Sequence, residues 1–234
     1  MERAQYNLCC EVLSRLDREK ILDHMVLIGS WCLLVYEDYF KNVRYRPGIR
    51  TRDIDFLIPL PPRFDHKVDV EGLLKDLDFV TSFKGRDGYM QFVHRDLMLE
   101  FIVPERGRGS SKPFSIPNLG INAQPLRFMD FLAGNIVRLK FAGLAVSVPH
   151  PVNFALLKVL VSSRRQTPVK QENDLRQAVE VLRALIEAGE AATLKKVFSS
   201  CPAKWQKSIL NTLQNEPLTE NIVQHLQGIS RHST

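Results

Sequence analysis

Asp53 and Asp55 stand one residue apart at the head of the run Asp53-Ile54-Asp55-Phe56-Leu57-Ile58, and Gly29-Ser30 closes an earlier apolar run, Met25-Val26-Leu27-Ile28. In an extended strand alternate side chains share a face, so the two carboxylates point the same way. Two like charges held that close beside a buried strand are costly unless a cation neutralises them. Hard carboxylate oxygens suit magnesium, which takes few protein ligands and completes its shell with substrate phosphates. A Gly-Ser turn ahead of a helix offers backbone N–H groups and a hydroxyl that can hold a phosphate. A third carboxylate, Glu100, lies inside an otherwise apolar strand, an unusual setting for a charge. Cation site plus phosphate turn is the equipment of nucleotide chemistry. Each part alone has a plainer use. Gly29-Ser30 can be a tight turn with a helix cap, Asp53 the first residue of a strand, and Glu100 the partner of an arginine such as Arg52. Together, in this order, they favour the chemical reading.

The elements that would position these residues follow from apolar spacing. Residues 7–24 carry Leu8, Val12, Leu13, Leu16, Ile21 and Leu22 at helical spacing. Residues 25–28 read as a strand feeding the Gly29-Ser30 turn, and residues 31–39 as an apolar helix. Pro47-Gly48 is a turn signal before the Asp53 strand, which Pro59, Pro61 and Pro62 terminate. A short helix is expected over 70–78. Strands over 79–83, 89–93 and 97–103 form a meander, turning first at Gly85-Arg86-Asp87-Gly88. Residues 106–113 read as a mobile basic loop. Residues 116–131 read ambiguously, as a strand and a short helix. A hairpin over 136–148 turns at Ala142-Gly143. After Pro149 and Pro151 the pattern is helical: 151–163, 172–188, 191–199, 202–215 and 219–227, then a frayed tail over 230–234. Strand-rich first and helix-rich second predicts an α+β chain, a mixed β-sheet flanked by helices followed by a helical C-terminal subdomain. The expected boundary gives a core over 1–148 and a helical subdomain over 149–234.

The bulk composition is that of an ordinary globular chain, 44% hydrophobic and 25% charged over 234 residues, so one large domain or two small ones. The net charge of +6 permits binding to nucleic acid or polyphosphate without requiring it. No cysteine pair among Cys9, Cys10, Cys32 and Cys201 has metal-ligand spacing, and a reduced, cytoplasmic setting is expected. No apolar signal core opens the chain and no apolar run reaches the roughly 20 residues needed to span a bilayer, so no membrane partner is expected.

The segments Val26-Leu27-Ile28-Gly29-Ser30 and Arg50-Thr51-Arg52-Asp53-Ile54-Asp55-Phe56, separated by a helix, resemble the nucleotidyltransferase superfamily that includes DNA polymerase β. Within it the chain is similar to bacterial minimal nucleotidyltransferase-like proteins and to the toxin-type nucleotidyltransferases of abortive-infection systems. The resemblance implies a metal-dependent enzyme that moves a nucleoside monophosphate from an NTP, ATP among the candidates, to an acceptor hydroxyl. By it Asp53, Asp55 and Glu100 are catalytic and hold Mg2+ or Mn2+, with Glu105 and Asp96 as weaker candidates for the third place. Gly29 and Ser30 bind the nucleotide. A helix bearing Lys158, the basic Ser163-Arg164-Arg165, and Lys170-Gln171-Glu172-Asn173-Asp174-Leu175 match a further part of the pattern. Lys158, Arg165, Lys170 and Asp174 are accordingly expected at the nucleotide. Their plainer uses are a snorkelling lysine, a solvated loop and a helix-end acid. The acceptor is an RNA 3′ end, a protein or a small molecule, and an antitoxin protein is a partner the resemblance suggests. The alternatives are a nucleotide-binding regulator without turnover and the toxin component of a toxin–antitoxin pair.

Overall fold

The computed structural model describes residues 3–48, 51–107, 112–165 and 167–228. The chain divides into two compact units, one of residues 1–35 and 48–149, the other of residues 36–47 and 150–234. Residues 36–47 thus count with the helical part, although they precede the Asp53 strand in sequence.

The first unit is built on a mixed sheet. Its strands are β1 (Val26–Ile28), β2 (Asp53–Leu57), β3 (Val80–Lys84), β4 (Tyr89–Val93), β5 (Met98–Pro104), β6 (Phe114–Ile116) and β7 (Ile121–Leu126). They run in the order β1-β2-β5-β4-β3, with β7 beside the far half of β5 and β6 beside β7. The β2–β5 and β5–β7 pairs are parallel; the others are antiparallel. One face carries the core: Leu27, Ile54, Phe56, Phe92, Leu99 and Phe101 are fully or almost fully buried. The Phe56 and Phe101 rings stack 6.0 Å apart, and Phe92 meets Phe101 edge-on. Burying each such ring contributes roughly 1.5–3 kcal/mol, which anchors the sheet on this face; the other face mixes buried Val26, Leu57 and Ile102 with the acids Asp53, Asp55 and Glu100.

Helix α1 (Arg3–Arg18) buries Cys9, Val12, Leu13 and Leu16. Its Gln5 amide donates to the carbonyls of Thr51 and Asp96, tying together the chain just ahead of β2 and β5. Arg15 donates to the Leu73 carbonyl and to Asp76, reaching from α1 to α3 (Val70–Leu74) and the 3-10 turn that follows it. The ambiguous stretch resolves into β7 and α4 (Met129–Ala133), with β6 just before it. β8 (Ile136–Phe141) and β9 (Leu144–Pro149) make the expected hairpin, with Ala142 and Gly143 both at positive φ. Of the expected basic loop, residues 108–111 lie outside the described residues, as does the tail over 230–234.

The apolar helix α2 (Cys32–Tyr39) leads from the first unit into the second. The second unit holds α5 (Pro151–Ser162), α6 (Pro168–Glu187), α7 (Ala191–Ser200), α8 (Ala203–Gln214) and α9 (Glu220–Gln227). α6 starts four residues earlier than apolar spacing alone suggests. Pro168 occupies its first turn, where a fixed φ and a missing N–H cost nothing. Tyr36, Phe40, Tyr45 and Phe154 form a ring cluster inside this unit.

Candidate active site

The register of the sheet sets out a row of residues on its second face. Ile28 pairs with Asp55, Asp55 with Glu100, Glu100 with Gln91 and Gln91 with Ser82. Residues opposite each other in neighbouring strands share a face, and so do residues two apart along one strand. Asp53, Asp55 and Glu100 therefore belong to one face, with Lys84, two residues beyond Ser82, on it as well. Asp53 is exposed and Asp55 half-buried, whereas Glu100 is buried at 9% exposure.

Gly29 stands directly against this row. Its φ is +73°, and a Cβ there would lie 2.5 Å from Asp55 Oδ2. Glycine is needed twice over, for the left-handed backbone and for the approach to the carboxylate. The turn and the acid pair, far apart in sequence, thus meet. Gly29, Ser30 and Trp31 make a 3-10 turn that runs straight into α2, with Ser30 half-buried and Trp31 fully buried. Cys32 is a buried core residue whose Sγ donates to the Leu27 carbonyl.

Glu100 does not take arginine Arg52 as partner; Arg52 donates to the His94 carbonyl. Glu100 Oε1 accepts instead from Lys84 Nζ at 2.9 Å and from the Gln91 amide. Among the described residues no three acidic, histidine or cysteine side chains converge closely enough to enclose a metal ion. The weaker candidates for the third place are engaged elsewhere: Glu105 accepts from Arg127 at 2.8 Å, and Asp96 lies 3.3 Å from Arg95. Sequence reasoning missed Lys84 and Gln91. Their signal was present in Gln91, a lone amide amid Tyr89-Met90-Gln91-Phe92-Val93, and in Lys84 at the mouth of a hairpin.

In the second unit, three of the four expected nucleotide residues come together. Asp174, 7% exposed, accepts from Lys158 Nζ and from Arg165 Nε, each at 2.6 Å. Burial pushes the Asp174 carboxyl up, but Lys158 and Arg165 outweigh it and hold the group below its ordinary value. Lys158 also lies 5.5 Å from the Phe154 ring centroid. Lys170 is outside this network, exposed in the first turn of α6. A separate cluster joins Tyr39, His150 and Glu190. The Tyr39 hydroxyl is 3.1 Å from His150 Nε2, and His150 Nδ1 accepts from the Val152 N–H, leaving Nε2 the protonated nitrogen of the neutral ring. Burial pushes the His150 pKa down against the pull of Glu190.

A family model of nucleotidyltransferases matches residues 7–202. The chain belongs to the nucleotidyltransferase family. This is a family of enzymes, and the match runs through the first unit and into the second, ending at residue 202. No curated protein is similar enough to match. Among solved structures, an antigenic nucleotidyltransferase-like protein from Paracoccidioides brasiliensis has a TM-score of 0.51 at 14% identity, over 94% of this chain and 92% of that one. That likeness supports the fold. The antibiotic-resistance factor ANT(2'')-Ia is similar at 16% identity and a TM-score of 0.44, over 85% of this chain and 96% of that one. Its complex with adenylyl-2''-tobramycin has a TM-score of 0.46 at 16% identity, over 81% of this chain and 96% of that one. Among the described residues no helix is long and apolar enough to cross a membrane.

Proposed function

We propose that this nucleotidyltransferase moves a nucleoside monophosphate from an NTP to a hydroxyl acceptor, with the Asp53–Asp55 face of β2 as its reaction centre. The observation that supports this most directly is Gly29 lying against Asp55, which brings the Gly-Ser turn up to the acid pair. The donor set fits a hard divalent cation, with Asp53 and Asp55 as its protein ligands and Mg2+ or Mn2+ the suited ions. Such an ion, when bound, neutralises phosphate charge and acidifies an acceptor hydroxyl. Gly29, Ser30 and Trp31 would present the turn's N–H groups and hydroxyl to the triphosphate tail. In the transfer the acceptor oxygen bonds to the α-phosphorus, the bond from that phosphorus to the β-bridging oxygen breaks, and pyrophosphate leaves while the hydroxyl proton passes to solvent. For Arg165 and Lys170 we propose phosphate binding, with Asp174 fixing Lys158 and Arg165. The chain's charge of +6 favours RNA among the acceptors.

A second reading, a nucleotide binder without turnover, draws support from Glu100, whose carboxylate is engaged by Lys84. Incubation with each of the four labelled NTPs, magnesium, total RNA and total protein separates the two. Label transferred to either polymer, and lost in Asp55→Ala, supports the enzyme; nucleotide retained but never incorporated supports the binder. A toxin role is tested by expression alone, which should arrest growth only while Asp55 is intact.

A further inference from the structure

The Lys84–Glu100 pair is a feature of the Asp53–Asp55 face that the family pattern does not announce. Lys84 belongs to β3, the end strand of the sheet, and its ammonium reaches over β4 to an acid on β5. Its side chain is 51% exposed while that of Glu100 is 12% exposed. A carboxylate buried to that degree needs a cation, and Lys84 supplies it. Gln91 donates to the same oxygen, so both bonds draw Glu100 toward β4 and β3, away from its register partner Asp55 on β2.

We propose that Lys84 is a positioning residue that holds Glu100 in competition with the divalent cation, so that cation binding at Asp53 and Asp55 recruits Glu100 only by exchanging it from Lys84. The proposal rests on the cation role given above to Asp53 and Asp55. Lys84 thereby sets the affinity of the face for the ion. When the ion is absent it keeps Glu100 paired. When the ion is present, the released ammonium remains on the same face of the sheet as Asp55.

The test is Mn2+ binding to the full-length protein without nucleotide, followed by electron paramagnetic resonance. Lys84→Met removes the competitor and should tighten Mn2+ about three- to fivefold, the strength of a half-exposed ion pair. Glu100→Gln should weaken binding, and Lys84→Met added to Glu100→Gln should change it no further, because the lysine acts through that carboxylate. Lys84→Arg should bind as the unaltered protein does. Circular dichroism checks that each variant is folded. Unchanged or weaker Mn2+ binding in Lys84→Met overturns the proposal, as does an equal tightening with Glu100 already replaced, which would mark a general charge effect. Failure of the underlying reading looks different. If Asp55→Asn binds Mn2+ as well as the unaltered protein, the ion is not on this face, and the Lys84 proposal falls with it.

Discussion

The Asp55 face of the sheet and the α5–α6 hairpin each bury an acid, Glu100 and Asp174, and they pair its charge to different extents. On the hairpin one carboxylate meets two cations at 2.6 Å, and its charge is more than matched within the protein. On the sheet Glu100 lies in register with a second acid, Asp55, and two residues from the row of a third, Asp53. The hairpin sets two cations against one acid, whereas the sheet face places Asp53, Asp55 and Glu100 together, with Lys84 engaging Glu100. On the function proposed above, the hairpin acid holds Lys158 and Arg165 in place while the sheet acids take the cation, and the ratio of acids to cations around each tells them apart.

The largest expected effect sharpens that contrast. Asp55→Asn should lower turnover by about 100-fold or more, since phosphate and hydroxyl charge stabilisation of several kcal/mol depends on that carboxylate. Its melting temperature should hold or rise as repulsion with its neighbours is relieved. Full activity in that variant would break the comparison. Asp174→Asn should cost about 3 kcal/mol in denaturant titration, because the half-buried Lys158 is left without its carboxylate. The pH dependence follows from the depressed Asp174 pKa. The stability it contributes is present above its ordinary value of 3.8 and is lost as pH falls through the lower folded value, so the acid limb of unfolding should flatten in Asp174→Asn. An unchanged acid limb would move Asp174 out of the scaffold.

Gly29→Ala comes next. A positive φ and a Cβ 2.5 Å from Asp55 Oδ2 should cost about 1–3 kcal/mol and lower activity by displacing that carboxylate. Calorimetry and turnover together check it, and an alanine tolerated on both counts would separate the turn from the acid pair. The smallest effect belongs to the second unit. Tyr39→Phe removes the hydrogen bond to His150 and should cost about 1 kcal/mol in thermal unfolding, with no loss of Mn2+ affinity.

Much of the fold is legible without coordinates where the signal is local. The Gly85–Gly88 turn, the Ala142-Gly143 hairpin and the buried helix after Pro149 follow from turn chemistry and apolar spacing, and the structure has them within a few residues. The start of α6 was less legible, since Val169, Lys170 and Gln171 are exposed and leave no apolar stripe to extend the helix back to Pro168. The inclusion of residues 36–47 with the helical unit was not legible at all. It depends on Tyr36, Phe40 and Tyr45 joining a ring cluster with Phe154, more than a hundred residues away.

The candidate site divides along the same line. That Asp53 and Asp55 share a face was determined by their spacing, because the two-residue period of a strand is a property of the local backbone. That Gly29 abuts Asp55, that Glu100 falls opposite it, and that Lys84 rather than Arg52 neutralises Glu100 were decided only when β1, β2, β5, β4 and β3 came into register. Register between strands tens of residues apart is set by the burial of Phe56, Phe92 and Phe101 on the opposite face, a long-range energy that no local stretch of chain encodes.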